Sequence, residues 1–317
     1  MKMNALPVTL NPVLAQLGYP PDARLVIFHA DDVGMCHGSN RAFIDLQAAD
    51  IVRCGSIMAP CPWAPEILDY SAAHPTLDVG VHLTLTSEWP GYRWGPVSTR
   101  AVESGLIDVR GHFWPQVAQV QAAMQAAAMQ DAALAELRAQ IELVRGAGID
   151  FSHLDTHMGV ALLPALFPAY VELGFAYNVP VLVLRQLDEY VRSLGFTQAS
   201  DVEWAAFVAE LEARGMPLVD HLRITPGYGP GEDEGGRAEL YEALLRDLPP
   251  GITYFSLHPN ASGDIEMISP DRAHWRTFEH EYFGSPRLKD FLQREGIVPI
   301  GYRALCILMR RNAYSVA

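Results

Sequence analysis

No stretch of this chain is apolar for long enough to span a membrane, and its first residues hold no basic segment followed by an apolar one. Cysteine is scarce: Cys36, Cys54, Cys61 and Cys306 are the four in 317 residues, and none form a Cys-x-x-Cys pair. That argues against a disulfide framework and predicts reduced thiols in a cytoplasmic protein. Cys36 lies close to an Asp pair, yet no histidine is paired with it in the sequence. It reads as a small buried filler and not as a nucleophile. Basic residues are also few, 23 against 37 acidic ones, for a net charge of -14. This balance excludes nucleic-acid backbones and anionic membranes as main partners. There is no glycine-rich phosphate loop, no repeat at solenoid spacing and no linker-like break in composition. The oligomeric state stays open, a homo-oligomer included.

Half of the residues are hydrophobic, as in ordinary globular proteins. Short apolar runs alternate with helical stretches almost throughout. Strands are expected over 24–30, 54–58, 78–85, up to Asp155, over 180–184, 218–224 and 252–257, and near 299–302. Helices are expected over 39–49, 63–73, 116–147, 164–173, 203–214 and 237–248. Ser269-Pro270 and Ser285-Pro286 should open two more. Residues 226–236, dense in glycine and proline, read as a loop. Residues 87–114, rich in Trp, Gly and Pro, form an excursion long enough to be functional. The predicted fold is α/β: a distorted (β/α) barrel of about seven strands over 24–302, behind an N-terminal arm over 1–23, in one domain spanning 1–317. A doubly wound open sheet is the alternative.

Four apolar runs end in acid and histidine clusters. Asp31-Asp32 follows Leu-Val-Ile-Phe-His-Ala, and His82 follows Asp-Val-Gly-Val. His153-Leu-Asp155-Thr-His157 follows Ile-Asp-Phe-Ser, and His258-Pro259 follows Ile-Thr-Tyr-Phe-Ser-Leu. Such groups are costly to bury, so repeating this placement points to a site at the carboxyl ends of the strands. Asp31-Asp32-Val-Gly34 serves either as an N-cap pair for the next helix or as one metal ligand beside one base. His82 is either satisfied inside the core or binds something. His153, Asp155 and His157, at spacing two, project on one side of an extended segment, and imidazole with carboxylate suits a divalent ion. His258 can trade protons near neutral pH. Arg185, after Val-Leu-Val-Leu, either holds a carboxylate or pairs on the surface.

With those residues in order along the chain, the sequence resembles the YdjC-like carbohydrate deacetylases, the group that includes chitooligosaccharide and hopanoid-sugar deacetylases. The matching pieces are His-Ala-Asp31-Asp32-Val-Gly34, Gly80-Val-His82-Leu-Thr-Leu, His153-Leu-Asp155-Thr-His157 and His258-Pro259. The resemblance implies a distorted β/α barrel, one divalent metal ion (zinc or magnesium) and hydrolytic removal of acetyl from an N-acetylated mono- or oligosaccharide. It implies Asp32, His82 and His157 as ligands, Asp31 as the base toward water, His258 as the acid for the leaving amine, and Arg185 in support. Two departures stand out. Gly159 occupies a position where many relatives carry a further histidine, and His258-Pro-Asn260 replaces His-Pro-Gly. The rival readings are a metal-dependent phosphoesterase or amidohydrolase, and a non-catalytic sugar-binding protein that retains the metal.

The excursion carries Trp89, Tyr92, Trp94, Phe113 and Trp114. Trp89, Tyr92 and Trp94 are expected to stack on the substrate's sugar rings, with mutual packing as the alternative. On the stacking reading, Trp94→Ala would weaken substrate binding and leave stability little changed.

Overall fold

Strand β1, Arg24–Val33, is the organising element of the computed structural model, which describes residues 10–195, 197, 199–225 and 234–315. Its run of Leu, Val, Ile and Phe suits a strand buried on both faces, and parallel neighbours cover it on both sides. The others are β2 (Cys54–Ile57), β3 (Asp78–Leu83), β4 (Leu154–Thr156), β5 (His221–Ile224), β6 (Gly251–Leu257) and β7 (Ile297–Pro299). All pairings are parallel, in the order β4-β3-β2-β1-β6-β5, with β7 beside the start of β1.

The sheet is curled, a half-barrel of seven strands with helices outside it. Its two edges are linked by isolated bridges, Leu154↔Val181 and Leu184↔Val219. The run at 180–184, expected as a full strand, thus contributes single bridges where the barrel is most distorted.

Alternation along β1 separates two environments. Val26, Phe28 and Ala30 belong to the large core under the helices, where Phe28 meets Phe283 edge-on at 5.1 Å. Each such buried phenylalanine contributes roughly 1.5–3 kcal/mol. Leu25 and Ile27 face inside the curl with Ile252, Tyr254, Tyr302 and Leu305. His29 and Asp31 continue that inner face toward the carboxyl ends, so the inner surface runs from apolar to polar.

Further elements differ from expectation. The stretch at 116–147 is two helices, Val117–Ala123 and Ala127–Gly146, because Ala126 is extended (φ −93°, ψ 128°). The second buries Met129, Ala133, Leu137, Ile141 and Val144 at helical spacing. From it, Gln140 exchanges hydrogen bonds with both backbone groups of Thr84, and Glu136 accepts the N–H groups of Val97 and Ser98. That helix therefore fixes the end of β3 and the excursion together. The tail holds a helix, Tyr302–Ser315, where only a strand near 299–302 was expected; Tyr302, Leu305 and Leu308 recur at helical spacing and pack into the base of the curl. Ser285 caps the helix Pro286–Glu295 as expected, whereas Ser269-Pro270 precedes a helix that starts at Ala273. Within the expected arm, Pro12–Gln16 is a short helix capped by Asn11. Most of the 226–236 loop lies outside the described residues. No described helix is long and apolar enough to cross a membrane.

Candidate metal centre

Adjacent residues in a regular strand point to opposite faces, so Asp31 and Asp32 should not share a site. The end of β1 breaks that rule. Its register with β2 shifts between Ala30 and Val33, and Asp32 takes a left-handed φ of 61°. Asp tolerates this region better than most residues, at a cost of order 1–3 kcal/mol. The bulge turns both carboxylates into the mouth of the curl.

Asp32 Oδ1 then lies 3.1 Å from His157 Nδ1 and 3.7 Å from His82 Nε2. One donor atom each from Asp32, His82 and His157 falls within 4.8 Å of the others, and all three residues are buried. Asp32 Oδ1 has no well-aligned hydrogen-bond donor although it is shut off from solvent. A buried carboxylate oxygen so placed, facing two imidazole nitrogens, suits a divalent cation. Asp31, His82 and Asp155 also lie close enough to share an ion. That set is the weaker choice, because Asp31 is already bonded to His29, Tyr254 and Ser256.

The remaining polar atoms of Asp32, His82 and His157 are tied down. His82 Nδ1 lies 2.9 Å from Asp155 Oδ1 and 2.9 Å from Ser56 Oγ. His157 Nε2 meets Glu88 at 3.1 Å, and Arg276 donates to Asp32 Oδ2 at 2.8 Å. Such partners orient ligands and fix tautomers. They also set charge. Burial alone would raise the Asp32 carboxyl, but the Arg276 guanidinium and His157 outweigh it and hold it well below the usual carboxylate range. Burial opposes a charge on His157, yet Glu88 and Asp32 push its pKa up to about 10.

Asp31 and His258 flank the three. Their side chains approach to 3.8 Å, and Asp31 accepts from His29 Nδ1 at 2.5 Å, Tyr254 at 3.0 Å and Ser256 at 2.6 Å. Burial would raise Asp31, but His29, His82 and His258 bring it below the ordinary value. His258 is held through its backbone N–H by Glu279, and burial lowers its imidazole despite Asp32 nearby.

Other sequence expectations meet different outcomes. Arg185 is not brought to this cluster. It pairs with Glu212 at 2.6 Å and Asp220 at 3.1 Å, and Asp220 accepts the N–H of Ile252 at the start of β6, the end away from His258. Trp94 is only 3% exposed and donates its indole N–H to Thr86 O, which leaves no open ring face for a sugar. Its ring instead packs 6.2 Å from that of His157. Trp89 is buried beneath the Arg276 guanidinium, 5.4 Å away, and half-buried Tyr92 donates to Met35 O. Phe113 is fully buried, and Trp114 bonds to Gly105 O. Cys36 is buried against Asn260, and burial raises its thiol pKa, in keeping with a small buried filler. The same contact gives Asn260 of the His-Pro-Asn segment a fastening role. Gly159 (φ 67°) and Met158 line an apolar cavity of about 730 Å³ beside His157, together with Leu162, Phe167, Leu184 and Trp204.

Sequence reasoning missed Glu88, Arg276, His29, Tyr254 and Ser256. His29 carried a signal, since it stands two residues before Asp31 on the same face of β1. Arg276, in a helix 244 residues from Asp32, carried none.

The family model described as YdjC-like protein matches residues 25–294. A carbohydrate deacetylase of Thermus thermophilus is 33% identical over 264 residues, covering 82% of this chain and 85% of the relative. A carbohydrate deacetylase of Thermoanaerobacter pseudethanolicus is 24% identical over 290 residues, covering 89% and 99%. A crystal structure from Enterococcus faecalis V583, of a protein suggested to cleave cellobiose phosphate, superposes with a TM-score of 0.67 at 20% identity, covering 89% of this chain and 99% of that one. That likeness carries the fold alone.

Proposed function

The chain belongs to the YdjC-like protein family, and from that premise we propose that it is a metal-dependent hydrolase that removes acetyl from an N-acetylated mono- or oligosaccharide. The observation that carries the reading is the orphaned Asp32 Oδ1, facing two histidines, with a second carboxylate and a third histidine alongside. Asp32, His82 and His157 would hold the ion. Two imidazoles and one carboxylate favour zinc over magnesium, which prefers oxygen. Such an ion, when bound, would supply Lewis acidity toward water and the acetyl carbonyl.

The protein's own residues supply the proton traffic. Amide hydrolysis needs a proton removed from water as its oxygen attacks the carbonyl carbon, and a proton given to nitrogen as the carbon–nitrogen bond breaks. Asp31 is the base and His258 the acid, which yields acetate and a free amine. Their 3.8 Å separation supports a shared action on one reacting group. Arg276, not Arg185, takes the supporting role, by fixing Asp32. A protein that held the ion only for structure would have no use for a carboxylate positioned beside His258.

The test joins metal analysis to an acetate-release screen over N-acetylated sugars. Metal-loaded protein should release acetate, lose that activity on chelation and regain it when metal is returned. A fully loaded protein that releases no acetate from any of them contradicts the reading.

A further inference from the structure

Behind Asp31 lies a line of buried polar groups that this chemistry does not use. His29 Nδ1 bonds Asp31, and His29 Nε2 meets His153 Nε2 at 2.7 Å. His153 Nδ1 meets Ser152 Oγ at 2.8 Å, and Ser152 bonds the carboxyl group of Asp78. Asp78 Oδ2 in turn accepts the backbone N–H of Arg303, in the first turn of the C-terminal helix, at 2.7 Å. Both histidines and Ser152 are wholly shut off from solvent. The line therefore runs through the inside of the curl, from the mouth to the base.

The surroundings are shaped to hold it. Tyr254 stacks on His29 at 4.8 Å, and Tyr302 stacks on His153 at 4.1 Å with only 13° between the rings. Position 80 must be glycine for His153 to reach His29, since a Cβ there would sit 2.5 Å from the His153 ring. Two imidazoles can share one Nε2–Nε2 contact only if one nitrogen carries the proton and the other does not.

We propose that His153 and His29 form an internal hydrogen-bond chain, anchored through Ser152 on Asp78, that positions the Asp31 carboxylate for its role as base. The direction follows from the partners. Asp31 as an acceptor takes the proton on His29 Nδ1, so His29 Nε2 accepts from His153 Nε2–H. His153 Nδ1 then accepts from the Ser152 hydroxyl, so the close Ser152–Asp78 contact requires a proton on the Asp78 carboxyl. Burial keeps His153 neutral and raises Asp78 above the ordinary carboxylate value, both in keeping with that order. His29, His153 and Ser152 are positioning residues. They are not among the proposed ion ligands Asp32, His82 and His157, and their effect on turnover rests on the deacetylase reading above.

The test has two arms on the full-length protein. Nitrogen-15 NMR should show His29 protonated on Nδ1, His153 protonated on Nε2, and one slowly exchanging proton between the two Nε2 atoms. Rings that exchange freely between tautomers, with no shared proton, overturn the chain whether or not the protein is a deacetylase. In the second arm, Ser152→Ala and His153→Leu should lower kcat on the order of 10- to 100-fold with KM and metal content unchanged. His153→Gln, which keeps a donor at the Nε2 position, should recover most of it. Folded, metal-loaded Ser152→Ala and His153→Leu with wild-type kcat would refute the positioning role. A wild type with no acetate release but with the shared proton would refute the deacetylase reading and leave the chain standing.

Discussion

Replacing Trp94 with alanine separates a sugar platform from a structural wedge. The indole is 3% exposed, bonded to Thr86 O, and in ring contact with Trp89, Tyr92 and His157. A buried tryptophan removes about 200 Å² from water, which at about 25 cal/mol per Å² is roughly 5 kcal/mol. Measured Trp→Ala costs in cores run about 3–5 kcal/mol, and Thr86 O also loses its donor. A chain of 317 residues unfolds with an entropy of about 0.7 kcal/mol/K, so the melting temperature should fall roughly 4–8 °C. Because the wedge backs His157, metal affinity should fall as well. Thermal unfolding followed by circular dichroism, with metal titration and KM on the same variant, reads all three. An unchanged melting temperature with a raised KM for an N-acetylated oligosaccharide would refute the packing argument and restore the stacking one.

Glu88→Gln should weaken metal binding by about 10- to 100-fold with the fold intact, since Glu88 orients His157 and is partly exposed; chelator competition measures it, and unchanged affinity would remove Glu88 from the site. His258→Ala should retain metal while amide turnover falls by roughly a hundredfold or more. The loss should be smaller for an acetyl ester, whose leaving group needs its proton less, and equal losses would count against an acid role. Metal affinity should rise with pH. Glu88 and Asp32 keep a proton on His157 up to about pH 10, and binding through Nδ1 must release it. Each unit between pH 6 and pH 9 should therefore strengthen binding by up to about tenfold; calorimetric titration in buffers of different ionisation enthalpy counts the proton.

The strand-end clusters were legible because apolar runs and alternation say where a strand ends and which face its residues share. Asp32, His82, His157, Asp31 and His258 therefore converge where their runs end. The bulge at Asp32 was not legible, since a left-handed aspartate leaves no mark in composition. Glu88 and Arg276 reach the ligands from the excursion and from a distant helix, and only the closed tertiary structure brings them there. Trp94 shows the limit of residue type as a signal, for an aromatic-rich loop reads alike whether it faces solvent or packs upon itself. Arg185 follows an apolar run as the clustered acids and histidines do, but its run contributes single bridges, and Asp220 and Glu212 hold its guanidinium elsewhere. The tail helix at 302–315 was hidden behind the short strand before it.

The most direct test of the account is Asp31→Asn, with bound metal and acetate release measured on the same sample. Asp31 is bonded to His29, Tyr254 and Ser256 and sits beside the proposed Asp32, His82 and His157 set. The account predicts one divalent ion per chain, as in the wild type, and acetate release lower by roughly a hundredfold or more. Near-normal turnover in the metal-loaded variant would contradict it.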